Sequence, residues 1–218
     1  MTVYYLPSCK YKELHALSSQ KIRTYLRAKP DHVIVDCCKK SQSLFHNGDT
    51  VLTNCSSCAI ITDEASPQAN EMSIYEYLLE DESFPWPDYH GEQITVQDCY
   101  RAAHKPAVQK AVRECLKRMN MRPVELEENH ARTRFDGIYK YRRISDANLA
   151  LAPKLYSRIQ KEFIDVQPEE VQKAQMTEWV KQYATERVCV YCNSCLKGVQ
   201  LGGADGVHLL DLITADLP

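Results

Sequence analysis

Val33-Ile34-Val35-Asp36-Cys37-Cys38-Lys39 is the stretch from which the rest of the chain can be read. Three β-branched residues in a row make a short strand, and a vicinal cysteine pair stands where that strand stops. Upstream, Val3-Tyr4-Tyr5-Leu6 is another β-prone run, with Cys9 just beyond its end. Downstream, the turn Asn47-Gly48-Asp49 leads into the strand Val51-Leu52-Thr53, which opens into Cys55-Ser56-Ser57-Cys58. Between the first two strands, Leu14, Leu17, Ile22, Tyr25 and Leu26 fall near helical spacing and predict an amphipathic helix over 14–28, ended before Pro30. Thiols therefore arrive in the order C…CC…CxxC, each at the C-terminal end of a strand.

The same order runs again after Phe84-Pro85-Trp86-Pro87-Asp88, a proline-rich joint that predicts a boundary between 1–84 and 85–218. Ile94-Thr95-Val96 predicts a strand leading to Cys99. Residues 107–120 predict a helix with Val108, Ala111, Val112, Cys115 and Met119 on one face. Pro123-Val124-Glu125-Leu126 predicts a strand that leads towards Arg134-Phe135-Asp136-Gly137. Helices are expected at 149–163 and 169–185, and the strand Val188-Cys189-Val190-Tyr191 opens into Cys192-Asn193-Ser194-Cys195. The closing run Val207-His208-Leu209-Leu210-Asp211-Leu212-Ile213 parallels Ser73–Leu79 (SIYEYLL) in the first half. Strand–Cys–helix–strand–CxxC–helix, twice, predicts an α/β protein of two pseudo-repeated halves. Each is a small, mainly parallel sheet flanked by helices, with cysteines at strand C-terminal ends.

Composition narrows the function classes. The chain has 218 residues, 26% of them charged, and a formal net charge of −2, which gives no reason to expect a nucleic-acid partner. Only 7 glycines are present and no Gly-rich phosphate loop, so a bound nucleotide is not expected. No apolar run approaches the roughly 18 residues of a spanning helix, and the start lacks a signal-peptide pattern. The ten cysteines are therefore expected as thiols or ligands in a cytoplasmic chain rather than as a disulfide framework.

Clustered thiolates suit zinc, copper(I) or iron–sulfur clusters. Five in the first half exceed the four that a structural zinc or an ordinary cubane takes. Either one is spare or the centre is of a kind that uses five. Bare redox thiols, with Cys37 and Cys38 cycling as a disulfide, are the further alternative. In the second half Cys99, Cys192 and Cys195 make an incomplete set for a second site, to which Cys189 or Asp136 would add a ligand. A scaffold half without metal is the rival reading there.

The pattern Cys9…Cys37-Cys38…Cys55-x-x-Cys58, with "VYYLPSC", "ITVQDCYRAAH" and "VCVYCNSC…HLLDLI", resembles the cysteine-rich CCG domain family over most of the chain. That family includes the B subunit of heterodisulfide reductase and iron–sulfur subunits of glycolate, lactate and glycerol-phosphate oxidoreductases. The resemblance implies a four-iron cluster, non-cubane in the reductase branch, held through Cys9, Cys37, Cys38, Cys55 and Cys58, with zinc as the alternative. It implies an oxidoreductase component rather than a stand-alone enzyme. Such a component passes electrons between a flavin or iron–sulfur partner subunit and a thiol or disulfide substrate. Two departures stand out. Lys39 occupies the place of the family's glycine in the first motif, and Phe135-Asp136 occupies the place of the cysteine pair before Gly137 in the second. Outside the motifs, Cys115 and Cys189 are expected in the core. His104 near Cys99 is expected as a cap or surface residue before a ligand, and His208 within the closing helix at the surface or in the core.

Overall fold

The computed structural model describes all 218 residues. The chain forms two compact units. The first comprises Met1–Pro85, Ile144–Glu162 and Thr214–Pro218; the second comprises Trp86–Arg143 and Phe163–Ile213. The proline-rich joint is thus where the chain first leaves one unit for the other. The contiguous ranges 1–84 and 85–218 differ from this division in two segments, because residues 144–162 and the last five residues pack with the first unit.

In the first unit, β1 (Val3–Leu6) leads into α1 (Cys9–Leu14) and α2 (Ala16–Arg27). These are followed by β2 (His32–Ile34), α3 (Cys38–Ser41), β3 (Thr50–Thr53), α4 (Ser56–Ala65), β4 (Asn70–Ser73) and α5 (Ile74–Glu80). All four strands are parallel, in the order β2-β1-β3-β4. The second unit repeats this with β5 (Gln93–Val96), α6 (Pro106–Arg118), β6 (Arg122–Val124) and β7 (Arg187–Val190), then β8 (Asp205–His208) after the second CxxC; the order is β6-β5-β7-β8, again parallel. The remaining helices are α7 (Asp146–Leu151), α8 (Pro153–Glu162), α9 (Glu169–Trp179), α10 (Asn193–Leu201) and α11 (Leu209–Ile213). The α/β class and the two pseudo-repeated halves expected from the sequence are both present. No helix is long and apolar enough to cross a membrane.

Helices cover the sheets through the residues whose spacing announced them. On α6, Ala111, Val112, Cys115 and Leu116 are buried, Pro106 opens the helix where no N–H is needed, and Met119 and Asn120 (φ 54°) close it. On α2, Ile22 and Leu26 are fully buried with Tyr5 and Leu52 of the sheet; each such aliphatic side chain contributes about 1.5–3 kcal/mol. The expected helix over 14–28 begins earlier, at Cys9, and breaks at His15 (φ −131°). The helix expected over 149–163 is two helices, because Pro153 disfavours helical backbone at Ala152 (φ −138°). Polar Asn70–Ser73 and Gly-containing Asp205–His208 lack β-branched alternation, yet both are edge strands. Ser73 then starts α5 with a reciprocal cap: its Oγ accepts the Glu76 N–H while the Glu76 carboxylate accepts the Ser73 N–H. In the first unit α8 docks on α4 through Glu64, whose carboxylate accepts the N–H groups of Lys154 (2.9 Å) and Leu155 (2.7 Å) at the positive end of α8.

One polar knot anchors the second sheet. The Asp98 carboxylate, fully buried beyond β5, accepts both terminal nitrogens of Arg113 at 2.7 Å, the Tyr191 hydroxyl at 2.8 Å and the His130 N–H at 2.8 Å. Arg113 also reaches Glu125, while Asn129 bridges the Asp98 N–H and the Val96 carbonyl. Replacing Arg113 by methionine would leave Asp98 charged and unpaired in the interior. Urea denaturation is expected to show a loss of about 3–5 kcal/mol. Lys117→Met, which removes the exposed pair with Glu114 on the same helix, is expected to cost less than about 0.5 kcal/mol.

Candidate metal centre

The strand order positions the cysteines. Chain leaving β1 crosses to β2 on one side, and chain leaving β2 returns to β3 on the other, so β1 and β3 flank a topological switch point at their C-terminal ends. Cys9 lies three residues beyond β1 and Cys99 three beyond β5; Cys55 lies two beyond β3 and Cys192 two beyond β7. Cys37, Cys55 and Cys192 each sit at a helix N-cap in extended conformation, and Cys38, Cys58 and Cys195 occupy the first turns that follow. Thiolates are thus presented to the positive ends of helices and to unpaired backbone N–H groups.

In the first unit the five thiols form a linked, partly open set. Cys9 is exposed, Cys37 and Cys55 are half-buried, and Cys38 and Cys58 are buried. Cys9 interacts with Cys37, and Cys58 with both Cys38 and Cys55. Donation from Cys58 holds the Cys38 thiol below its usual range, against burial and with help from Lys39. Cys58 itself is pushed well up, first by its bond to Cys38. Burial and Cys37 raise Cys9, while Lys12 opposes them. Lys39 supplies positive charge and a backbone N–H to Cys38. Beside Cys55, Asn54 is 3% exposed and neither atom of its amide has a partner.

In the second unit Cys99, Asp136, Cys192 and Cys195 are all buried, and their ligand atoms lie within 4.8 Å of one another. This group can hold a metal ion. A tetrahedral ion with metal–sulfur bonds of about 2.3 Å needs ligand atoms about 3.8 Å apart, so a modest contraction closes the site. Asp136 therefore joins the set, whereas Cys189 does not: it packs in β7 near Cys115, both thiols fully buried and raised first by burial, Cys189 to about 12. Asp136 stands at the N-terminus of the 3-10 turn Gly137–Tyr141, and its carboxylate accepts Arg101 Nε at 2.9 Å and the Cys99 thiol at 3.6 Å. Burial pushes this carboxyl up to about 6, with Arg101 opposing and Cys192 adding to the rise. Cys192 is held well below the usual thiol range because Cys195 and Cys99 both donate to it. Cys99 is pushed well up, first by its bond to Cys192, and Cys195 is pushed well up, first by burial. Three thiolates and a carboxylate would carry four negative charges; a divalent cation cancels two and the buried Arg101 a third.

The loop bearing Asp136 is clamped onto α10. Ser194 Oγ donates to the Asp136 carbonyl and accepts the Tyr139 N–H, each at 2.8 Å, and Tyr100 N–H donates to the Phe135 carbonyl at 2.7 Å. Gly137 (φ 52°) makes this approach possible: a Cβ there would lie 2.0 Å from the Ser194 carbonyl oxygen. Arg101, Asp98 and Tyr191 were not readable as site residues from spacing. The available signal was local, since an acid and a phenol immediately precede Cys99 and Cys192. His104 is exposed on the loop before α6 and is not among the clustered ligand atoms. His208 is fully buried at the end of β8, where Nδ1 accepts the Leu210 N–H, rather than inside the closing helix.

In comparisons with known proteins, no family model, no curated protein and no solved structure matches this chain.

Gly137→Ala is expected to destabilise the protein by clearly more than about 1 kcal/mol and to weaken metal binding in the second unit. Gly203→Ala is the control, since Gly203 also has positive φ (92°) but nothing lies within 4 Å of the added Cβ. Equal losses in the two variants, measured by urea denaturation, would refute the close-approach account.

Proposed function

We propose that the chain is an iron–sulfur electron-transfer component of an oxidoreductase of the heterodisulfide reductase kind, holding its cluster in the first unit and a zinc ion in the second. The observation that carries this reading is the complete C…CC…CxxC set around the switch point of the first sheet, buried at Cys38 and Cys58 and open at Cys9. Cys9, Cys37, Cys38, Cys55 and Cys58 would hold the cluster. The donor set suits the group, because all five ligands are thiols and the amide of Asn54, orphaned beside Cys55, has hydrogen bonds still to make. A bound cluster would supply one-electron chemistry. The chain's own part is to hold the ligand sulfurs at helix N-termini, to place Lys39 and Lys12 where they offset thiolate charge, and to leave Cys9 accessible to a partner or a sulfur substrate. The partner is a subunit bearing a flavin or a further cluster, and the substrate a thiol or disulfide.

Zinc is the better occupant of the second site. In an ordinary cubane each of the four thiolates binds a different iron, which needs more room than four ligand atoms within 4.8 Å provide, whereas a closed, buried, four-coordinate site is what structural zinc takes. That same geometry favours one rival: a zinc-stabilised scaffold whose first motif carries no iron.

Anaerobic purification with iron, sulfide and zinc analysis tests both. About four irons and four sulfides with one zinc per chain are expected. Cys38→Ser should remove most of the iron and the visible absorbance while zinc stays near one per chain. Cys192→Ser should do the reverse. Zinc without sulfide in the wild-type chain would establish the scaffold and end the electron-transfer reading.

A further inference from the structure

Cys9 and Cys37 leave neighbouring strands of the first sheet at the same level. β1 and β2 are paired in parallel with Tyr5 opposite Ile34, and the ladder ends where the Val35 N–H donates to the Tyr5 carbonyl at 3.0 Å. Cys9 lies three residues beyond β1 and Cys37 three beyond β2. Paired strands run about 4.8 Å apart, inside the range of about 4.4–6.8 Å that a disulfide spans between Cα atoms. Two contacts carry this proximity past the strand ends. The Cys9 thiol donates to the Asp36 carbonyl at 3.8 Å, and Lys12 Nζ meets the Asp36 carboxylate at 3.2 Å. The Cys9 and Cys37 side chains also interact directly.

The backbone is bent to bring this about. Ser8 stands at φ 57° and ψ 122°, a region that residues with a side chain seldom adopt, and its Oγ accepts the Tyr11 N–H so that α1 starts at Cys9. Asp98, which precedes Cys99 in the second unit, has no positive φ. The vicinal pair Cys37-Cys38, by contrast, is turned apart. Cys37 is extended (φ −146°, ψ 124°) and half-buried beside Cys9, whereas Cys38 opens α3, is buried and interacts with Cys58. Cys9 is the one exposed thiol of the ten, so a reagent in solution meets it first.

We infer that Cys9 and Cys37 form a reversible disulfide when the first site is empty, and that this bond closes the site to iron. A low-molecular-weight disulfide is the oxidant. The Cys9 thiolate attacks one of its sulfurs and expels a thiolate; the Cys37 thiolate then attacks the Cys9 sulfur of the mixed disulfide and expels the second. The protein gives up two electrons and two protons, and the oxidant becomes two thiols. A dithiol reductant reverses both exchanges. In the second unit Cys99, Cys192 and Cys195 are all buried, out of reach of the same reagent. Closure to iron rests on the cluster reading above; the bond itself does not.

Oxidised glutathione is the probe, added to the full-length chain after its iron has been removed. The readouts are free thiols, peptide mass spectrometry without reduction, zinc content, and iron uptake on reconstitution. Expected are the loss of two thiols per chain, one cross-link between the peptides bearing Cys9 and Cys37, and unchanged zinc. The oxidised chain should take up at least about tenfold less iron until dithiothreitol is added. Cys38→Ser should keep the cross-link, whereas Cys37→Ser should stop at glutathione attached to Cys9. Glutathione left on Cys9 of the wild-type chain without a cross-link would overturn the inference, as would a Cys37–Cys38 bond or a cross-link that survives Cys37→Ser. Equal iron uptake by the oxidised and reduced chains would overturn the closure. A reduced chain that takes up no iron yet still forms the Cys9–Cys37 bond would sink the cluster reading and leave the disulfide standing.

Discussion

Everything in each unit depends on setting the first strand between the second and the third. With β1 between β2 and β3, three parallel strands end at one level, and the loops that follow have to start helices there. Residues far apart in sequence, such as Cys9, Cys38 and Cys55, meet because of this order and for no local reason. The backbone supplies the electrostatics as well: helix starts converge on the same edge, so thiolates placed there face partial positive charge before any lysine or metal contributes.

The two units surround this edge differently, and charge explains the difference. In the first, the thiols are partly open to water, and exposed or half-exposed lysines offset them. In the second, water is excluded, so each buried ion needs an ionic partner. Asp136 has Arg101, and Asp98 has Arg113. Gly137 lies against the backbone of α10, whereas Lys39 lies within the short helix α3 and gives its N–H to Cys38.

The repeat was legible because it lies in short apolar strands ending at cysteines, and those strands are where the sequence placed them. Asn70–Ser73 and Asp205–His208 were not legible as strands, since edge positions need neither β-branching nor alternation. The discontinuous units were hidden for another reason. Part of what attaches α8 to α4 is a carboxylate, Glu64, meeting two backbone N–H groups 90 and 91 residues away, and no periodicity announces such a cap. At the site, the cysteines declared themselves by spacing. Arg101 and Asp98 did not, because a charged residue beside a cysteine in sequence reads as surface until its burial is known.

The division of the chain also orders events during synthesis. The first unit is begun before the second and finished after it: its thiol-bearing edge is complete by Cys58, but α7 and α8 arrive only after residue 143, and Thr214–Pro218 only after Ile213. Lys21 awaits the Ala215 carbonyl, 194 residues further on, which it reaches at 2.8 Å. A nascent chain therefore carries Cys9, Cys37, Cys38, Cys55 and Cys58 past residue 143 without the later segments that complete their unit. Until those segments arrive, the thiols stand at the edge of a sheet whose unit is still incomplete, and that is when they are most open to oxidation.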